Sequence, residues 1–193
     1  DRYDLSADDL KNLIQPNYEL NDTILNAHLY LTAKLVQNTI LFDSVGTHAF
    51  IQRGFAAKDI ILSHNEWFKN NIVLFPIHHH QHWLMYIIDI QNKFIVEFDS
   101  ALSNTFPKTK YIQSILKLLD VQHYLSFGRK IDFKQWSIAR PKCFGQQDDT
   151  SSCGVHCALF ARSYCTATRY PPITRKVIVQ YRNLIAMDLI AHA

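Results

Sequence analysis

Between Ile72 and Phe98 the chain carries three apolar runs separated by short polar stretches. Ile72-Val73-Leu74-Phe75-Pro76-Ile77 reads as a buried strand, Trp83 to Ile90 as a second, and Phe94-Ile95-Val96-Glu97-Phe98 as a third. The polar stretch Gln91-Asn92-Lys93 is too short for a crossover, so the second and third strands must be antiparallel neighbours. A hairpin places the start of one strand beside the end of its partner. His82 and Asp99, 99 − 82 = 17 residues apart, are therefore expected to meet at one edge of the sheet.

Helical patterns flank this block. Ser6-Ala7-Asp8-Asp9 reads as a capping box opening a short helix to about Ile14, ended by Pro16. Asn21 caps a longer helix, about Asp22 to Gln37, and small helices are expected near His48–Ala57 and His64–Lys69. Beyond the strands, Lys108 to His123 carries Ile112, Ile115, Leu116 and Leu119 on one face, and Gln135–Ala139 reads as a fourth strand. A helix starting near Cys153, with Ser151 or Ser152 as its cap, is expected to run to about Ala167. A last helix, capped by Thr174, should reach about His192. Strands in the middle with helices on either side give an α+β layout, read as one domain over residues 1–193 with residues 1–16 as an N-terminal extension.

Composition narrows the function classes. Apolar residues make up 48% and charged residues 19%, a globular profile. A net charge of +3 with scattered Lys and Arg gives no argument for nucleic acid, and the densest apolar stretch, Trp83–Ile90, is too short to span a bilayer. The four cysteines (Cys143, Cys153, Cys157 and Cys165) cluster late in the chain. A domain of this size needs no disulfide staples, so free thiols and an intracellular setting, cytoplasm or nucleus, are expected.

Cys153 has the company that thiol acyl transfer needs. It sits in Gln146-Gln147-Asp148-Asp149-Thr150-Ser151-Ser152-Cys153-Gly154, downstream of His82-Trp83 and Asp99-Ser100. A thiol at a helix N-terminus meets the positive end of the macrodipole, which favours thiolate. His82 would move the proton, Asp99 would orient His82, and the Gln147 amide with the Cys153 N–H would hold an oxyanion. Gly154 would let substrate backbone come close. Cys157 and Cys165 share a helical face with Ala161 and read as core.

These residues, in this order, resemble the Ulp-type and sentrin-specific cysteine proteases, over roughly residues 17 to 190. The match is carried by Ile72–His78, His82-Trp83, Phe98-Asp99-Ser100 and Gln146-Gln147…Cys153-Gly154, with Leu20-Asn21-Asp22-Thr23-Ile24 similar to the family's Trp-Leu-Asn-Asp segment. The resemblance implies a papain-like fold of the ubiquitin-like protease type, a central mixed β-sheet flanked by helices. It also implies cleavage of ubiquitin or a ubiquitin-like modifier (SUMO or Nedd-type) after its C-terminal Gly-Gly. It assigns His82, Asp99 and Cys153 to the triad, Gln147 to the oxyanion donor, Trp83 to the lid over the Gly-Gly tail, and Asp22 to a modifier contact. It implies no cofactor and no metal, a monomer, and the modifier with its conjugates as partner; some relatives are secreted bacterial effectors that act inside a host cell. Two positions depart from the pattern: Ser152 stands where the family has Asp, and Glu19 where it has Trp. Glu19 either stands as a solvated glutamate at the helix entry or, as a carboxylate at the lid, faces the modifier tail and favours a basic one.

Three other readings compete. Zinc ligation could draw on His78-His79-His80-Gln81-His82 and Cys153/Cys157, but adjacent strand residues point to opposite faces and do not converge on one ion, so the histidines are expected as a polar loop. An acetyltransferase effector using the same triad would need a basic pocket, with Arg169, Arg175 and Lys176 as candidates. A non-catalytic modifier-binding module would have no need of all four site residues.

Overall fold

A computed structural model describes residues 3–54, 67–101, 108–141 and 146–192. The elements run α1 (Ala7–Leu13), α2 (Asp22–Leu35), β1 (Thr39–Leu41), α3 (Ser44–Arg53), a 3₁₀ turn (Trp67–Lys69), β2 (Ile72–His79), β3 (His82–Asp89), β4 (Phe94–Phe98), α4 (Lys108–Phe127), a second 3₁₀ turn (Phe133–Gln135), β5 (Ser137–Ala139), α5 (Cys153–Cys165) and α6 (Arg175–Ala191). The strands form one mixed sheet in the order β1-β2-β3-β4-β5. β2, β3 and β4 are antiparallel, whereas β1 and β5 join the two edges in parallel.

The period-two alternation of β2, β3 and β4 feeds two cores. Leu74, Trp83, Met85, Ile87, Val96 and Phe98 face α2, α5 and α6. Val73, Phe75, Ile77, Leu84, Tyr86, Ile88 and Ile95 face Phe42, Phe50, Trp67 and the apolar stripe of α4. β3 is buried along its whole length, which explains its nearly unbroken apolar sequence. α5 lies across β3 with Val155, Cys157, Ala158 and Ala161 fully buried, so the Cys157/Ala161/Cys165 face is core, as expected.

The capping signals hold. Ser6 and Asp9 form the reciprocal capping box, Asn21 accepts from the Ile24 N–H, and Thr174 accepts from the Val177 N–H. Some boundaries move. α2 stops at Leu35 because Val36 is already extended, and α3 starts at Ser44 because Asp43 caps it at the Gly46 N–H. Residues 55–57 and 64–66 of the two expected small helices lie outside the described residues; Trp67–Lys69 is a 3₁₀ turn. α4 runs on to Phe127. β1 is not legible in the sequence, since three residues are too few to show a period and their partner lies 33 residues away (Thr39 opposite Ile72). The histidine run is a hairpin rather than a loop: His79 pairs with His82, and His80 and Gln81 form the turn at φ 46° and 59°.

Candidate active site

The β3–β4 hairpin sets Met85 opposite Phe98, so the open ends of the two strands carry His82 and Asp99 to the same sheet edge. His82 Nε2 lies 2.8 Å from Asp99 Oδ1, which leaves Nδ1 as the nitrogen for the thiol. The second carboxylate oxygen of Asp99 is 2.8 Å from Lys108 Nζ at the start of α4, and Oδ1 also accepts from the Ala101 N–H. Burial pushes the Asp99 carboxyl up, but the bonds from His82 and Lys108 outweigh it and hold the group below its ordinary value. Burial pushes His82 down in the same way. Hydrogen bonds to Asp99 and to Cys153, together with their charges, more than compensate and raise His82 to about 9, so at neutral pH it is an imidazolium.

Cys153 is the first residue of α5 and only 1% exposed. The serine cap expected for this helix is absent. Ser152 occupies the cap position with φ −92° and ψ 0°, a backbone from which its hydroxyl cannot reach back to the first turn, and it makes no capping bond. Its hydroxyl donates instead to Asp149, whose Oδ1 also accepts from the N–H groups of Ser151 (2.9 Å) and Ser152 (2.7 Å). Asp149 thus shapes the loop that delivers the thiol, a role hidden in the sequence among neighbouring polar residues.

Gln147 is fixed beside the Asp99-Ser100 turn. Its backbone N–H donates to the Ser100 carbonyl at 2.9 Å, its Oε1 accepts from the Ser100 hydroxyl, and its Nε2 donates to the Asp149 carbonyl at 2.7 Å. One side chain therefore ties the strand end carrying Asp99 to the loop preceding Cys153.

Trp83 is 3% exposed and donates from Nε1 to the Leu20 carbonyl at 2.8 Å. Its ring lies 4.5 Å from that of His78. The two rings border a cleft of about 390 Å³ that is also lined by Leu20, Asp22 and His48. Glu19 is exposed next to this cleft, and its charge, with that of Asp22, acts on His78. His78 is nevertheless lowered, because burial dominates.

A Cβ on Gly154 would lie 2.9 Å from Leu20 Cβ and 3.1 Å from Trp83 Cδ1, so the glycine makes room for Leu20 and Trp83. Sequence reasoning also passed over Arg182. Its guanidinium is fully buried and donates to the carbonyls of Leu13 (3.2 Å), Tyr18 (2.6 Å) and Ser151 (3.4 Å), joining α6 to the segment before α2 and to the loop that precedes Cys153. An arginine on a helix gives no sequence signal for such a role.

Cys157 and Cys165 are buried in the core. Burial pushes Cys157 far up and Cys165 to about 12. Among the described residues, no group of three His, Cys, Asp or Glu side chains is placed to hold a metal ion. His78 packs on Trp83, whereas the His79 ring lies 5.8 Å from Tyr111 of α4. Arg169, Arg175 and Lys176 are exposed at the surface. No described helix is long and apolar enough to cross a membrane.

Known proteins are similar to this chain in sequence and in fold. The chain is 28% identical over 163 residues to human sentrin-specific protease 5, covering 83% of this chain and 20% of that protein. It is 23% identical over 183 residues to the sentrin-specific protease of Caenorhabditis elegans, covering 89% and 25%. The chain thus spans about a fifth to a quarter of the length of these relatives. In fold it is similar to the C-terminal Ulp1 protease domain solved in complex with Smt3, the yeast ortholog of SUMO, with TM-score 0.81 and 21% identity over 97% of this chain and 83% of that one. It is more distantly similar to the Chlamydia trachomatis effector Cdu1 bound to ubiquitin, with TM-score 0.57 and 14% identity over 92% and 95%. The model of the Ulp1 protease family, C-terminal catalytic domain, matches residues 18–193, and the chain belongs to that family.

Proposed function

We propose that the chain is a thiol protease that cleaves ubiquitin or a ubiquitin-like modifier after its C-terminal Gly-Gly. The observation that carries the reading is the hydrogen-bonded line Asp99–His82–Cys153, with the thiol at a helix N-terminus and almost wholly covered. A thiol so enclosed is reached by a thin, extended chain end and not by a bulky loop, which suits a tail of glycines passing Trp83. The Cys153 sulfur attacks the glycine carbonyl carbon, and the carbonyl π electrons move to oxygen. The Cys153 N–H and the second amide hydrogen of Gln147 serve as donors to that oxyanion. As the C–N bond breaks, His82 gives its proton to the leaving lysine amine. His82 then takes a proton from water, which attacks the thioester and frees the modifier carboxylate and the thiolate. Asp99 keeps the imidazole oriented, and Lys108 keeps Asp99 ionised. Labelling with a panel of C-terminally reactive ubiquitin, SUMO and Nedd-type probes tests this: one probe at least should modify Cys153, and Cys153→Ala should take up none. Failure of all three to label the wild type would refute it.

The choice of modifier rests on Glu19 and Asp22. Two carboxylates beside the cleft favour a tail that carries arginine ahead of Gly-Gly, as in ubiquitin and its nearest relative, over the largely uncharged tails of SUMO. Fluorogenic tail peptides of both kinds decide it, the expected result being a preference for the arginine tail that Glu19→Ala reduces. Equal use of both tails by wild type and variant would remove Glu19 from the account.

A further inference from the structure

The end of the sheet remote from Cys153 carries a second recess. Ile90 follows the last residue of β3 and lies eight residue steps from His82, so the recess is roughly 25 Å from the thiol. Its volume is about 420 Å³, and Phe68, Ile90 and Trp136 supply apolar walls. Lys93, Arg129 and Lys130 supply cations and His123 an imidazole, against one carboxylate, Asp132, whose Oδ1 accepts from the Lys134 N–H.

Two of these side chains, Lys93 and His123, are held in place. Lys93 sits in the β3–β4 turn at φ 59° with its ammonium on Gln135 Oε1. His123 lies between Phe68 and Phe127, at ring distances of 5.0 and 4.8 Å, with Nδ1 donating to the Arg129 carbonyl at 2.7 Å. Lys93, Arg129 and Lys130 make no ion pair among the described residues.

The recess opens onto more unpartnered surface. Trp136, in its wall, leads directly into β5, the last strand of the sheet, whose outer edge is paired with no described strand. On β5 Ile138 is 45% exposed, on β4 Phe94 is 40% exposed, and on the last turn of α4 Phe127 is 54% exposed. A strand edge unpaired among the described residues, a neighbouring apolar recess and a predominantly basic rim are the three parts of recognition by strand addition.

We propose that this end of the molecule docks an extended acidic peptide segment. Its backbone pairs along the free edge of β5, an aromatic or branched side chain enters the recess between Phe68, Ile90 and Trp136, and its carboxylates meet Lys93, Arg129 and Lys130. The sign of the rim selects the acidic partner, and it is opposite to that beside the active-site cleft, where Glu19 and Asp22 stand. The site is independent of the thiol chemistry and does not rest on the proposed activity.

Fluorescence polarisation with a labelled peptide Asp-Glu-Val-Phe-Val-Glu-Asp tests it. Saturable binding is expected, weakened about tenfold or more by Arg129→Glu combined with Lys130→Glu, both exposed positions. The double variant should keep wild-type turnover of a tail-peptide substrate and wild-type thermal unfolding. The same peptide N-methylated at alternate amides should lose binding, and a Lys-for-acid version should not bind. Absence of saturable binding, indifference to the charge reversals, or equal affinity of the N-methylated peptide would overturn the proposal. So would tighter binding of poly-uridine RNA or phosphatidylserine vesicles than of the peptide, since that marks a general polyanion surface.

Discussion

The Trp83 indole N–H donates to the Leu20 carbonyl at 2.8 Å, fixing the aromatic ring next to His82 against the segment that carries Glu19 and Asp22. Both partners also close on Gly154, the residue after the nucleophile. Trp83, the cleft beside it and the segment bearing the Cys153 thiol are thus one packed unit.

Gly154→Ala tests that unit. A methyl 2.9 Å from Leu20 Cβ and 3.1 Å from Trp83 Cδ1 forces both to move. The expected loss is about 1–3 kcal/mol of stability by urea unfolding. Tail-peptide kcat/KM should fall about tenfold or more, because the lid shifts relative to the thiol. Wild-type kinetics would mean that the lid geometry is not limiting.

The pH profile follows from His82. Its value in the fold, about 9, lies above the ordinary 6.5, so its stabilising interactions are fully present below about 6.5 and vanish as pH rises through about 9. The kcat/KM profile should show an alkaline limb near 9, where the proton needed by the leaving amine is lost. Asp99→Asn removes the carboxylate and should move that limb down, with a loss of turnover on the order of 10²–10⁴. An unmoved limb would assign it to another group.

Two other histidines predict acid sensitivity. His28 and His156 are buried, and burial lowers each to about 4, against the opposing charges of Asp188 and Asp149. Each is neutral in the fold, whereas the unfolded chain takes up the proton near 6.5. Stability should fall as pH drops from about 6.5 to 4, by up to roughly 1.4 kcal/mol per pH unit for each residue. Urea unfolding across that range measures the slope, and His28→Gln should flatten it.

Arg182 predicts a coupling between core and site. Arg182→Leu leaves the Leu13, Tyr18 and Ser151 carbonyls without their shared donor. A loss on the order of 3 kcal/mol is expected from unpaired buried carbonyls. Arg182→Lys, a single ammonium in place of a fork, should recover part of the stability yet leave kcat/KM reduced, because it cannot span both the lid segment and the nucleophile loop. Full activity in the Lys variant would confine Arg182 to the core.

Much of this protein was decided locally. The caps at Ser6, Asn21 and Thr174, the alternation of β2 to β4 and the short β3–β4 turn are contacts between near neighbours in sequence, so the pairing of His82 with Asp99 followed from strand and turn lengths alone. The tertiary structure decided the rest, because it depends on side chains meeting across large sequence separations. Asp149 displaced the expected serine cap once the loop backbone turned helical at Ser152. Gly154 makes room for Leu20, 134 residues earlier. Lys108, Ser100 and Arg182 entered the site through bonds that no spacing rule foretells. A polar side chain carries no mark of its partner until the fold removes water and leaves one partner within reach.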